Sequence, residues 1–155
     1  MTRRQIAKLI ESAIDCLVKR EPQLLDLDVA ERALSHHLAR YIAELVPPEF
    51  DVDCEYNRHL QHPKRLNLPR RRALDREIRA TTVFPDIIVH KRNTDSHNLL
   101  VLEIKKPGED IAYDEIKLRA FRTELGYAHC AHVILGLHHN GTLVREVLWL
   151  DDSVT

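Results

Sequence analysis

The stretch at residues 84–106, FPDIIVHKRNTDSHNLLVLEIKK, decides the fold because two apolar runs flank a short polar segment. The runs cover residues 84–89 and 98–106, and each is long enough for a β-strand. Between them, residues 93–96 (NTDS) are of types that favour loops, since their side chains hydrogen-bond to nearby backbone. The stretch therefore predicts a β-hairpin around which the rest of the chain is organised.

Three charged side chains are predicted to meet on this hairpin. If it folds symmetrically about the middle of its turn, Asp86 lies opposite Glu103, and Lys105 points to the same face as Glu103. Charges on an otherwise apolar hairpin are costly unless they are paired, hydrated or bound to a cation. The grouping predicts a functional site. The plainer interpretation makes Asp86 a turn cap and leaves the other two as surface charges.

The chemistry of the three side chains suits a divalent metal ion and a phosphate ester. Mg²⁺ or Mn²⁺ prefers oxygen ligands, and Mg²⁺ commonly takes one or two carboxylates in proteins. Asp86 and Glu103 would supply these carboxylates, and the backbone carbonyl of Ile104 is a further candidate ligand. Lys105 would orient an attacking water or stabilise developing negative charge. We therefore expect Mg²⁺ (or Mn²⁺) as the cofactor.

Pro85-Asp86, a following strand and Glu103-x-Lys105 together resemble the motif of the PD-(D/E)xK nuclease superfamily. The fold of that superfamily is restriction-endonuclease-like. The resemblance implies an α/β domain with a mixed central sheet flanked by helices. It also implies metal-dependent hydrolysis of phosphodiesters in nucleic acid, with DNA as the usual substrate of an endonuclease.

The resemblance covers most of the chain. Residues 31–36 (ERALSH) on a predicted helix and residues 51–58 (DVDCEYNR) on a predicted strand precede the hairpin in the order of small single-domain members. A predicted helix with Lys117-Leu118 and a further apolar strand follow it.

Three further residues are candidates for the site. In the resembled superfamily the first core helix often carries a glutamate that reaches the metal site, and Glu31 matches that place; it could instead form a capping box with Asp28. His36 lies about 140° further round the helix than Glu31, so a structural role is its plainer interpretation. Lys117 could reach a phosphate or could be an ordinary exposed lysine.

Residues 58–80 carry a strong local positive charge in a chain whose formal net charge is -1. Eight Lys and Arg residues stand against Asp75 and Glu77, which gives a local excess of six. Clustered cations can neutralise backbone phosphates without reading a base sequence, although many charge runs are only solvated. We predict a basic loop, with a short helix near residues 75–80, that binds nucleic acid through Arg58, Lys64, Arg65, Arg70, Arg71 and Arg72.

The remaining segments predict helices and strands around the hairpin from their apolar periodicity. Helices are predicted over residues 3–20, 28–45 and 110–125, and strands over residues 51–57, 129–137 and 143–150. A chain of 155 residues is expected to form one domain over residues 1–155, with an N-terminal helix at 1–22 and a core at 28–150. The order of elements predicts a mixed sheet with helices on its faces.

Composition excludes several classes of protein. Three widely spaced cysteines without a CxxC pair predict a reduced, intracellular chain, and no apolar run approaches the roughly 20 residues that cross a bilayer. We therefore expect a cytoplasmic protein without a membrane partner. The sequence lacks GxxxxGK[ST], GxGxxG and GxSxG, so nucleotide-cradling loops and a serine nucleophile elbow are not predicted.

Two other functions stay open from the sequence. A binding module with the nuclease fold would hold nucleic acid or a partner protein without cutting it. In a structural role, the hairpin at residues 84–106 would form the edge of a homodimer.

Overall fold

The computed structural model describes residues 1–59, 62–69 and 78–151. Its helices are α1 (Arg3–Arg20), α2 (Gln23–Asp26), α3 (Glu31–Leu45) and α4 (Ala112–Leu125). Its strands are β1 (Asp51–Asp53), β2 (Arg58–His59), β3 (His62–Pro63), β4 (Arg65–Pro69), β5 (Ile78–Thr82), β6 (Ile87–His90), β7 (Leu100–Lys105), β8 (His129–Leu137) and β9 (Leu143–Trp149). Within these ranges, no helix is both long enough and apolar enough to traverse a membrane.

Five of the strands form one mixed sheet in the order β1-β6-β7-β8-β9. β6 and β7 are the predicted antiparallel hairpin, while β7 and β8 are parallel and are connected through α4, as a parallel pair requires. The mixed α/β architecture is therefore confirmed. β1 pairs with the outer side of β6 and β8 with the outer side of β7, so the hairpin has no free edge. Neither β6 nor β7 can therefore serve as the free pairing edge that the homodimer alternative for residues 84–106 assumes.

Helices cover both faces of the sheet because its strands alternate in side-chain direction. One face packs against α1 and α3 and includes Ile87, Val89, Leu100, Leu102 and Val133. The other face packs against α4 and includes Ile88, Val101 and Cys130 together with Leu118 and Phe121 of the helix. By the same alternation, Asp86, Glu103 and Lys105 belong to the face that α4 covers.

The basic segment is more regular than the sequence predicts. Its described residues form the pairs β2–β3 and β4–β5, where we expected an irregular loop. Leu66 and Leu68 alternate inward and pack under α4, and Asn67 between them bonds Glu124 of that helix at 2.9 Å. The helix predicted near residues 75–80 is wrong at residues 78–80, which belong to β5. Residues 75–77 lie outside the described part of the chain.

Candidate active site

Asp86 and Glu103 lie side by side where the hairpin strands meet the loop before β6. The register pairs Ile87 with Leu102 and Ile88 with Val101, so the next step outward places Asp86 opposite Glu103, as predicted. Asp86 Oδ2 accepts a hydrogen bond of 2.7 Å from the backbone N–H of Ile104. This bond fixes the carboxylate of Asp86 against β7.

The backbone carbonyl of Ile104 faces the same place. In a β-strand the N–H and C=O of one residue point to the same side, and the N–H of Ile104 points to Asp86. Continuing the register puts Pro85 opposite Ile104, and a proline has no N–H to donate to that carbonyl. Pro85 thus supplies no ladder donor to this carbonyl oxygen, which points to the side of β7 where Asp86 lies.

α4 contributes a lysine and an aspartate to the same place. Lys117 Nζ lies 2.7 Å from Glu103 Oε2 and 3.8 Å from Asp114 Oδ1. The side chain of Asp114 is buried, and the sequence interpretation missed it. The sequence feature that could have identified Asp114 is its position three residues before Lys117, on the face of α4 that also carries Leu118 and Phe121.

Glu31 joins the site through Lys105. Lys105 Nζ lies 3.2 Å from Asp114 Oδ2 and 3.4 Å from Glu31 Oε2. The capping box expected for Glu31 does not form, because α3 begins at Glu31 itself, after Ala30, and has no side-chain cap. Asp28 instead binds Lys106 Nζ at 2.7 Å. The carboxylate of Glu31 is therefore available to the site.

We call Glu31, Asp86, Glu103, Lys105, Asp114 and Lys117 the hairpin cluster. It contains four carboxyl groups and two ammonium groups, so its formal charge is −2 when every group is ionised. Glu31 Oε1 and Glu103 Oε1 are buried and receive no N–H or hydroxyl hydrogen bond from the described residues. Two negative charges among these six groups are thus left without a matching cation, and Glu103 Oε1 is left without a donor in the described part of the chain, whereas the carboxyl of Glu31 pairs with that of Glu109.

The titration of the carboxyl groups reflects this imbalance. Burial raises the pKa of Glu103 to about 8, and the ammonium of Lys117 only partly opposes it. Burial, and then a hydrogen bond with the carboxyl of Glu109, raise the pKa of Glu31 to about 7. Burial also raises the pKa of Asp86, against the bond from Ile104. Without another cation, the cluster takes up protons to balance its charge.

The cluster opens to solvent through a cleft of about 500 Å³. Arg32 and Lys106 bring positive charge to its mouth, where Arg32 pairs with Glu55 at 2.7 Å and Lys106 pairs with Asp28. The cleft is lined by Ala30, Glu31, Arg32, Glu55, Asp86, Lys106 and Glu109. A ligand in the cleft would meet four carboxyl groups and two cations, and Glu31 and Asp86 are the members of the hairpin cluster that line it.

The donor set fits a hydrated Mg²⁺ or Mn²⁺ ion. Asp86, Glu103 and the Ile104 carbonyl offer oxygen ligands, and such ions need only one or two carboxylates when waters complete the shell. In the described ranges, no three His, Cys, Asp or Glu side chains form a group that could hold a metal ion. A cage built from three such side chains is therefore not present in this part of the chain.

The other predicted residues lie apart from the cluster. His36 is exposed on α3 and makes an edge contact with His37. Arg58 and Arg65 are exposed, as a role in phosphate binding requires. Arg70, Arg71 and Arg72 lie outside the described residues.

Lys64 does not fit its predicted role on a basic surface. Only 2% of the residue is exposed, and its ammonium donates to the Tyr127 hydroxyl at 2.9 Å. Its Nζ lies 5.2 to 5.9 Å from the ring centroids of Tyr56, Phe121 and Tyr127. An ammonium enclosed by aromatic rings contributes to packing and cannot reach a phosphate.

Comparisons with protein-family models, with curated proteins and with solved structures found no match to this chain.

Proposed function

We propose that the chain is a metal-dependent nuclease that hydrolyses phosphodiester bonds in nucleic acid, with DNA as the substrate of an endonuclease. The observation that carries the proposal is the hairpin register, which places Asp86 opposite Glu103 on the face that also holds two lysines. The six groups of the hairpin cluster lack two positive charges, and the adjoining carboxyl of Glu109 adds a further negative charge, so the cluster favours binding of a cation. The open cleft above the cluster gives a phosphate access to it.

The residues of the proposed site have different roles, which follow from the chemistry of their side chains. Asp86, Glu103 and the Ile104 carbonyl would hold Mg²⁺ or Mn²⁺, which supplies a Lewis acid for the phosphate and lowers the pKa of a water. Lys105 is held by Asp114 and Glu31, and attraction by both raises its pKa although burial acts the other way. Its ammonium thus stays protonated and can stabilise negative charge on the phosphate.

Lys117 and Glu31 support this arrangement. Lys117 fixes Glu103 by a 2.7 Å ion pair, so the carboxylate of Glu103 keeps one orientation. Glu31 restrains Lys105 together with Asp114, since both carboxylates lie within 3.4 Å of its ammonium nitrogen. Both residues therefore act as positioning groups in the proposed site.

Nucleic acid would bind along the cleft through its phosphates. Arg32 and Lys106 line the rim, and each now pairs with an acidic side chain that a phosphate would replace. Arg58 and Arg65 add exposed positive charge on β2 and β4. Contacts of this kind make binding weaken as salt rises, because bound counterions are released on association.

Membership in the PD-(D/E)xK superfamily is part of the same proposal. The mixed sheet, the central hairpin and the crossover through α4 support it, and so does the position of Glu31 beside Lys105. The proposed chemistry rests on the side chains of the hairpin cluster, so it does not depend on the family assignment.

The test is nicking of supercoiled plasmid DNA in Mg²⁺ or Mn²⁺ by the wild type, Asp86→Asn and Lys105→Ala. Asp86→Asn keeps the shape and an acceptor for Ile104 while removing the charge. Asp15→Asn is the matched control, because Asp15 is exposed on α1 and pairs with Arg145. We expect nicking by the wild type and the control only. Equal nicking by all four proteins would refute the assignment of the site.

A binding module without catalytic activity is the second candidate, and one observation favours it. Lys105 and Lys117 already pair with the carboxylates of the hairpin cluster, so the cluster can stabilise the fold without a metal ion. Such a module would retain DNA or a partner protein equally well in the wild type and in Asp86→Asn. Salt-sensitive DNA retention by both proteins, with no nicking by either, would favour this function.

A further inference from the structure

His132 lies next to the hairpin cluster on the sheet. It belongs to β8, and the parallel register pairs it directly with Glu103 of β7. It shares the face of Cys130, two residues before it, which packs towards α4. The residue is only 4% exposed, so its imidazole is enclosed between the sheet and the helix.

Both ring nitrogens of His132 are buried without a hydrogen-bond partner among the described residues. One of them must carry a proton and the other a lone pair, even in the neutral ring. Burying such groups unpaired costs free energy, so natural chains nearly always give them a protein or water partner. The charges of Asp114, Glu115, Lys105 and Lys117 act on the ring, and three of these residues belong to the hairpin cluster.

Glu103 is the neighbouring residue that could provide His132 with a hydrogen-bond partner. Glu103 Oε1 is a buried carboxyl oxygen without a hydrogen-bond partner among the described residues, and it belongs to the residue directly beside His132. Neighbouring strands are about 4.8 Å apart, so the two side chains stand next to each other on one face. An imidazole and a carboxyl oxygen that both lack a hydrogen-bond partner thus occur on adjacent residues.

We propose that His132 is a positioning residue that holds a water molecule against Glu103 Oε1 and so orients this carboxylate towards the site. Lys117 fixes Oε2 and the bridged water fixes Oε1, which leaves the carboxylate in a single orientation. The consequence for a bound cation rests on the proposed function. The water bridge itself does not, because it requires only the two adjacent side chains.

The test compares His132→Leu, which removes both polar atoms, with His132→Gln, which keeps a donor and an acceptor. His132→Met is a second apolar variant whose flexible side chain adapts if leucine does not fit. Val133→Ala is the matched control, because Val133 follows on β8 but is buried on the other face. Urea unfolding without divalent ions and calorimetric titration with MgCl₂ and MnCl₂ are measured on each protein.

A bridged His132 predicts that both apolar variants unfold at lower urea than the wild type, because Glu103 loses a partner. It also predicts that the affinity for the cation falls 10- to 100-fold, as is typical when a group that orients a ligand is removed. His132→Gln should restore most of both properties, and Val133→Ala should change stability alone.

If His132 holds no water against Glu103, the apolar variants should not lose stability. His132→Leu and His132→Met would then be as stable as the wild type or more stable, and they would bind the cation as tightly as the wild type. This result would overturn the inference. A wild type that binds neither cation refutes the metal-dependent function instead. The unfolding data then decide the role of His132, with lower stability of the apolar variants supporting it and equal or higher stability overturning it.

Discussion

Glu103→Gln should change how the stability of the protein depends on pH. Glu103 is 2% exposed, and burial raises its pKa from 4.5 to about 8. The folded chain therefore keeps a proton that the unfolded chain releases above pH 4.5. The stabilisation from this proton is complete below pH 4.5 and is lost as the pH rises through 8. Glutamine is neutral at every pH, so the stability of Glu103→Gln does not fall over this pH range through titration at position 103.

The expected magnitude follows from the same two values. At 1.36 kcal/mol per pH unit, the interval from 4.5 to about 8 corresponds to about 5 kcal/mol. This is comparable with the whole stability of many domains, roughly 5 to 15 kcal/mol. Glu103→Gln should thus match the wild type near pH 4.5 and become progressively more stable than it towards pH 8.

Urea unfolding of both proteins at pH 5, 6.5 and 8, without divalent ions, measures this difference. Other titrating groups occur in both proteins and cancel to first order in the comparison. Mg²⁺ added at pH 8 should stabilise only the wild type, since the cation replaces the proton on Glu103. A stability difference that stays constant from pH 5 to 8 would contradict the explanation by a buried acid.

Three further variants test other parts of the structure. Lys64→Met should gain about 3 kcal/mol of stability relative to the wild type as the pH falls from 10.5 through 8, because burial lowers the pKa of Lys64 to about 8. Urea midpoints of both proteins at pH 7 and 10 check this. The same stability difference between the two proteins at both pH values would contradict it. Gly136→Ala should cost roughly 1 to 3 kcal/mol in urea unfolding, because the added Cβ would lie 2.8 Å from Pro107 Cδ, whereas an unchanged midpoint would mean that the Pro107 turn yields freely. Asp114→Asn should slow plasmid nicking roughly 10- to 100-fold through loss of the charge that restrains Lys105, and wild-type rates would exclude this role.

The sequence predicts the register of the hairpin because a symmetric turn allows few alternatives. Once the polar segment is centred, the pairing of Asp86 with Glu103 follows from counting residues, and the structure confirms it. The helices over residues 3–20 and 110–125 are likewise close to α1 and α4, since their apolar stripes are local features. Local periodicity thus accounts for the hairpin, for α1 and α4, and for two of the carboxylates, but not for β2 to β5.

The remaining site residues depend on contacts between distant segments. Asp114 and Lys117 look like ordinary polar residues on α4 until the helix packs over β7. Lys64 was predicted at the surface because its neighbours are basic, yet rings from three separate segments enclose it. Glu31 leaves the expected capping role because α3 begins three residues after Asp28.

The central position of the hairpin has a consequence for the order in which the protein is made. Asp86 and Glu103 are both synthesised before α4, so an incomplete chain presents two facing carboxylates without Lys117. The hairpin contacts are close in sequence and form readily, whereas the pairing of β8 with β7 waits for a much longer loop to close. Repulsion between the carboxylates therefore weakens the hairpin during synthesis until α4 brings Lys117 to Glu103, after which β8 and β9 complete the sheet.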